Sequence, residues 1–445
     1  MDSLAPAQER LGWRGLFSGR PFRRLVLLRM SAQWGDGMFQ AALGGAVLFN
    51  PEREADPIAV AAGLSVLLLP YSVIGPFAGA LLDRWDRRRV LVAANVLRGV
   101  LVLGVAAMLA TGVTGLGLYL GALSVAGVSR FVLAGLSAGL PDIVEPRHLV
   151  EANVVAATVG SATTAIGAAC AIGLRGWLGA GDGGSSLVTA FAVVGSIGAA
   201  VLAARFRPGE LGPLPNGEGG LGAYEPKRTV VAVARGLLDG ARAVAAVPAV
   251  AASFAALAAH RLAFGITTLI SLLLFRNAFA DEGVLRSGLA GVGEAILVAT
   301  VALGVAAVIT PWLVHHLGRT NAVRIGLCVA AAGQLGLAVV TTLPTVLMAA
   351  FVLPLAGQVV KLCTDSAVQR LIPDGRRGRV FALYDAVFNV TFVVAVTLGA
   401  LFSPPDGRST MLLILAAASY LIGLLFHEWL RRGAGVDAVL DRPQP

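Results

Sequence analysis

Gly79-Ala-Leu-Leu-Asp83-Arg84-Trp85-Asp86-Arg87-Arg88-Arg89-Val90-Leu91 packs four arginines and two aspartates between two apolar runs, Ile58–Leu82 and Val90–Thr111. About 20 apolar residues cross the ~30 Å hydrocarbon layer of a bilayer, and each flanking run is that long. A soluble core has no place for so dense a charge cluster between such neighbours. The stretch therefore reads as a short loop joining two transmembrane helices, held on the cytoplasmic side by its arginines. Composition agrees: 56% of the 445 residues are hydrophobic and 14% charged. Soluble domains carry about 25% charged residues. A mean hydropathy of +0.78 completes the picture of an all-α polytopic membrane protein.

Outward from that loop, apolar runs divide the chain into twelve expected spans. The first six are Arg24–Phe49, Ile58–Leu82, Val90–Thr111, Leu116–Leu140, Glu151–Leu174 and Ser186–Arg205. The second six are Ala249–Phe275, Leu289–His315, Ala322–Thr342, Thr345–Cys363, Val380–Phe402 and Thr410–Glu428. Arg53, Arg175, Arg276, Arg286 and Arg408 fall in one set of alternate loops, and Arg29, Arg98, Arg130, Arg261 and Lys361 within spans. The rest of the 35 basic residues lie on the other side with both termini, which the positive-inside rule makes cytoplasmic. This arginine excess accounts for the net charge of +9 without nucleic acid. Five segments follow: a tail over 1–23, a six-helix half over 24–206, a linker over 207–248, a second half over 249–430 and a tail over 431–445. Residues 1–22 carry no apolar stretch of the kind found in a cleaved signal. Within the linker, Arg207–Pro226 is rich in Gly, Pro and Glu, whereas Thr229–Ala246 sets Arg235, Asp239 and Arg242 on one face. The latter predicts an amphipathic helix at the cytoplasmic interface. Cys170, Cys328 and Cys363 sit in apolar runs and form neither a disulfide framework nor a metal set.

One gapless offset of 232 residues aligns Pro141-Asp142 with Pro373-Asp374, Arg147 with Arg379, Arg29 with Arg261 and Arg87 with Arg319. The two six-helix halves are thus expected to be pseudo-symmetric parallel repeats. At the mirror of the opening loop stands His315-His316-Leu317-Gly318-Arg319, which keeps Gly-Arg and lacks the acidic groups. The opening loop resembles the motif between helices 2 and 3 of the major facilitator superfamily, Gly-x-Leu-x-Asp-Arg-x-Gly-Arg-Arg/Lys. Gly79, Leu81, Asp83, Arg84, Arg87 and Arg88 match, and Asp86 replaces a glycine. The resemblance implies the major facilitator fold and makes Gly79, Asp83, Arg84, Arg87 and Arg88 a cytoplasmic latch between halves, made and broken during transport. A patchier resemblance runs through Ser129-Arg130-Phe131, Pro141-Asp142 and Glu151-Ala152-Asn153 to a bacterial exporter branch of siderophore and macrolide effluxers. Gly167–Gly173 lacks the proline that the superfamily's antiporters usually carry in helix 5.

Ionisable residues in a membrane are costly, about 2.5–3.5 kcal/mol at a helix centre on insertion scales, so they face partners or water. Arg29, Gln33, Asp36 and Gln40 form one polar stripe on the first span. The fourth span carries Arg130, the seventh Arg261 and Thr268, and the tenth Gln358, Lys361 and Asp365. By resemblance these four spans line the central cavity. The expected substrate and proton site is therefore Gln33, Asp36, Gln40, Arg130, Arg261, Thr268, Gln358, Lys361 and Asp365. Asp36 is read as the titrating group with Arg130 as its counter-charge. The competing reading makes Asp36 a permanent ion pair that holds helices together. Arg29 and Arg98 are expected to snorkel to the cytoplasmic face.

No Gly-x-x-x-x-Gly-Lys-Ser/Thr or His-Glu-x-x-His is present, so an ATPase is not expected and the chain is not read as an enzyme. The reading is a monomeric secondary transporter of the cytoplasmic (bacterial inner) membrane, working by alternating access on a small-molecule substrate. It takes no cofactor and draws on the proton gradient. By the branch resemblance it exports a hydrophobic or amphipathic compound (a drug, siderophore or secondary metabolite) by proton antiport. An importer of a nutrient is the alternative, and a transport-inactive sensor or scaffold a remote one.

Overall fold

The computed structural model describes residues 17, 19–48, 57–66, 86–145, 148–179, 181–212 and 226–432. In lipid every backbone N–H and C=O must bond within its own segment, and the chain answers with helices. They are α1 (Arg20–Leu48), α2 (Pro57–Val66), α3 (Arg87–Ala110), α4 (Leu116–Gly139), α5 (Leu149–Leu178), α6 (Asp182–Phe191) and α7 (Val193–Ala204). Then come α8 (Pro226–Ala245), α9 (Pro248–Asn277), α10 (Gly288–Val339), α11 (Leu343–Leu371), α12 (Asp374–Phe402) and α13 (Thr410–Arg432).

Among the described residues, nine helical segments are long and apolar enough to cross a membrane. One of them, Asp182–Ala204, is α6 and α7 together, broken at Ala192. Another, α10, runs for 52 residues, about 78 Å at 1.5 Å per residue, and so comprises two spans. It turns at Gly318, whose φ of 79° and ψ of 160° lie where only glycine sits comfortably. With polar-striped α1 and with α2, the described part of the second span, the chain forms the twelve-helix architecture of two halves. Large apolar side chains such as Val100, Leu103, Ile197, Val308, Phe402 and Leu425 point outward, as lipid requires.

The described residues fall into two compact units: those up to Ala46 together with 86–229, and Val47, Leu48, α2 and residues 230–432. The first unit packs around Leu25, Leu28, Leu91, Val132, Leu136 and Ala199. At its centre α1 meets α7 at Gly35 and Gly195. A Cβ on Gly195 would come within 2.6 Å of Gly35 Cα and of the Ser31 carbonyl, so glycine is what lets these helices touch. Ser31 Oγ donates to the Gly195 carbonyl at 3.0 Å across the same contact.

The second unit packs around Val250, Leu257, Ile270, Leu353, Val360 and Tyr420. Val60 and Ala61 of α2 join it against Leu269, Leu273, Phe392 and Val396. The expected amphipathic helix is α8, and it is docked: Arg379 Nη1 donates to Asp239 Oδ2 at 3.2 Å. Exposed pairs contribute about 0.2–1 kcal/mol. Asp239→Ala is therefore expected to leave the melting temperature of the purified protein within a degree or two. It should nevertheless speed tryptic cleavage at Arg235 and Arg242, and an unchanged digestion rate would show that α8 is held by other contacts.

Candidate functional site

The polar residues of the spans gather into a node in each unit. In the first unit, Asp36 of α1 meets α3 and α4, and Arg98 of α3 links it to α7. Arg98 Nη1 donates to Asp36 Oδ1 at 3.0 Å and to the Ala32 carbonyl at 3.2 Å. Its Nε donates to Ser196 Oγ at 2.9 Å. Ser129 Oγ donates to the same Asp36 oxygen at 2.5 Å. Asp36 is 7% exposed and Arg98 1%. Gly35 makes room for the guanidinium, because a Cβ there would lie 3.2 Å from Arg98 Nη2. Among the described residues that nitrogen has no acceptor, which leaves its two N–H groups unbonded.

Two expectations change here. The ion pair of Asp36 is with Arg98, not with Arg130. Ser129 holds the position on α4 that faces Asp36, and the next residue of a helix points about 100° further round. Arg130 still interacts electrostatically with the Asp36 carboxylate. Nor does Arg98 snorkel: it stands eleven residues into α3, roughly 16 Å from the helix start, too far for its stem to reach the interface. That distance was the signal in the sequence that marks Arg98 as a buried group. Elsewhere on the α1 stripe, Gln33 accepts from Arg29 Nε at 3.0 Å, and Gln40 is half-buried.

The second unit repeats the node in neutral form. Thr267 Oγ1 lies 2.8 Å from Gln334 Oε1, joining α9 to the second span of α10. By the 232-residue offset Asp36 corresponds to Thr268 and Arg98 to Ala330, so this bond sits one residue and one turn away from the charged pair. Thr268 itself, expected at the site, bonds within α9 to the Phe264 carbonyl at 2.7 Å.

Beside that node α9, α11 and α12 build a ladder of cations and rings. Arg261 Cζ lies 3.9 Å from the Phe388 ring centre and 4.4 Å from that of Phe392. Its Nε donates to the Phe388 carbonyl at 2.8 Å. Tyr384 stacks on Phe388 with ring centres 6.2 Å apart. Lys361 Nζ lies 5.7 Å from the Tyr384 ring centre and donates to Asp365 at 2.8 Å. Asp385 interacts electrostatically with both members of that pair. The rings were not foreseen, because phenylalanine is background in a membrane sequence. Gln358 is half-buried on α11.

Of the expected latch, Gly79, Asp83 and Arg84 lie outside the described residues. Arg87 Nη1 donates to Asp142 Oδ2 at 2.6 Å and to the Leu211 carbonyl at 3.0 Å. Arg88 Nη2 donates to the Ala204 carbonyl at 2.9 Å. These bonds tie the starts and ends of α3, α4 and α7 together within the first unit. Asp86, the residue that departs from the motif, caps α3 by accepting from Arg88 N at 3.0 Å.

Comparison with known proteins follows from this geometry. The Major Facilitator Superfamily model matches residues 25–357. Proteins of Mycobacterium bovis and Mycobacterium tuberculosis, both described as uncharacterized MFS-type transporters, are 42% identical over 428 residues. The match covers 95% of this chain and 94% of each relative. The solved nucleoside transporter NupG superposes with a TM-score of 0.69 over 92% of this chain and 99% of its own, at 12% identity. A POT family transporter in complex with 5-aminolevulinic acid gives 0.69 over 94% and 98%, at 14% identity. At such identities the likeness is one of fold.

Proposed function

We propose, for a chain that belongs to the Major Facilitator Superfamily of multi-pass secondary transporters, that the cargo is a hydrophobic or amphipathic small molecule exported by alternating access against inward proton flow. The chain is a monomer of the cytoplasmic membrane with both termini inside, and the Gly79–Arg88 loop is its latch. The observation that carries the coupling is Asp36, a buried carboxylate bonded to Arg98 and within electrostatic reach of Arg130. A carboxylate with two alternative counter-charges has what a proton-driven switch needs. Protonation removes its charge, weakens the Arg98 bond and leaves both cations to find other partners. The direction is supported by the exporter-like residues around Ser129-Arg130-Phe131, and the cargo class by the aromatic wall of Phe388, Phe392 and Tyr384.

Asp36→Asn keeps an oxygen acceptor for Arg98 and Ser129 while fixing the neutral state. In proteoliposomes loaded with a panel of amphipathic dyes, the wild-type protein is expected to drive efflux when protons flow inward. Asp36→Asn should lose that response at least tenfold yet retain dye counterflow, which needs no proton. Undiminished pH-driven efflux by the variant would remove Asp36 from the coupling, and uptake in place of efflux would reverse the direction.

A further inference from the structure

The same chain treats two buried arginines differently, and the contrast carries an inference. Arg98 is 1% exposed and has a carboxylate. Arg261 is 6% exposed and has none among the described residues, where its hydrogen bond goes from Nε to the Phe388 carbonyl. Phe388 and Phe392, with Phe264 at 5.9 Å, set their rings against the guanidinium and offer its N–H groups no acceptor. Among the described residues, the four N–H groups on Nη1 and Nη2 thus have no protein acceptor. Arg261 keeps 6% of its surface open. An uncompensated cation in a membrane span is costly. Here the chain has spent its ring contacts on fixing a planar fork whose two outer nitrogens remain free. That fork matches a carboxylate or a phosphate edge-on, with two parallel bonds. Lys361 lacks the same vacancy, because Asp365 already neutralises it.

We propose that Arg261 is an anion subsite: the cargo carries a carboxylate or phosphate that docks on Nη1 and Nη2, with its apolar body against Phe264, Phe388 and Phe392. This deepens the export reading, since it names the charge of the same cargo. The anionic group can come from a soluble amphiphile or from a lipid headgroup, and the shared chemistry is an oxyanion next to a hydrocarbon.

The test is binding, which needs neither direction nor coupling. Purified protein in phosphatidylcholine nanodiscs is titrated with decanoate, decanamide and decyltrimethylammonium, following intrinsic tryptophan fluorescence. Decanoate is expected to bind at least tenfold more tightly than the other two. Arg261→Gln should weaken decanoate about ten- to a hundredfold, as the loss of a charge-assisted pair of bonds implies, and leave decanamide unchanged. Arg261→Lys should restore part of the loss. Decanamide binding also reports that Arg261→Gln is folded. If phosphatidylglycerol nanodiscs abolish decanoate binding to the wild type while Arg261→Gln is indifferent to lipid, the occupant is a lipid headgroup and the subsite stands. Equal decanoate affinity in wild type and Arg261→Gln would overturn it, as would tighter binding of the cation. Proton-driven efflux of neutral dyes without decanoate binding would sink this subsite alone. Arg261-dependent decanoate binding without efflux would sink the export reading alone.

Discussion

Arg98→Leu is expected to be among the most damaging single substitutions in the first unit, at about 3–5 kcal/mol, because it strands Asp36 as a buried carboxylate. Ser129 would remain as the hydrogen-bond donor to Asp36, and Arg130, within electrostatic reach, would offset the charge only in part. The leucine also leaves Ser196 Oγ and the Ala32 carbonyl without the donor they now have. Removing both charges is a different experiment. Asp36→Asn with Arg98→Leu should recover most of the loss, since replacing a buried ion pair by neutral groups is often close to free. Thermal unfolding of the four proteins in detergent closes the double-mutant cycle, with a coupling energy of about 3 kcal/mol or more expected, at the top of the range for residues in contact. A wild-type melting point for Arg98→Leu would mean that the pair is not held in the folded protein.

The second large effect is expected at Gly318. A continuous helix of 52 residues is more than twice as long as the hydrocarbon layer is thick, so α10 must turn, and it turns at a backbone conformation of φ 79° and ψ 160°. Only glycine enters that region without strain, and a residue with a Cβ costs of order 1–3 kcal/mol there. Gly318→Val adds the stiffness of a branched side chain. It should lower the yield of monodisperse protein on size exclusion and drop the melting temperature by several degrees. Arg319→Ala, one residue away with ordinary helical backbone, should do much less. Equal melting temperatures for Gly318→Val and the wild type would show that the turn can relocate.

Which features were legible follows from which energies are local. Transfer from water to lipid depends on a residue and its near neighbours, so the spans, the α1 stripe and the amphipathic α8 could be read directly. The break in α10 was visible as His315-His316-Leu317-Gly318-Arg319, a polar patch between apolar runs, although the helical continuity on either side was not. Partner choice is not local. Sequence alone offers Arg130 as the counter-charge of Asp36, and in the fold Asp36 bonds Arg98 of α3 and Ser129 of α4 instead. The setting of Arg261 was illegible for another reason: Phe264, Phe388 and Phe392 are unremarkable in a sequence that is 56% hydrophobic, and only their convergence gives them meaning.

The Asp36–Arg98 pair also constrains how the protein is made. Asp36 leaves the ribosome 62 residues before the arginine that neutralises it. At about 5–20 residues per second that is roughly 3–12 seconds during which α1 carries an unmatched carboxylate. Insertion of α1 alone is thus opposed by a few kcal/mol, and α1 already carries Arg29, Gln33 and Gln40 on the same stripe. The first helix should therefore linger beside the translocon or the ribosome exit until α3 arrives, and enter the lipid as one member of a charge-matched group.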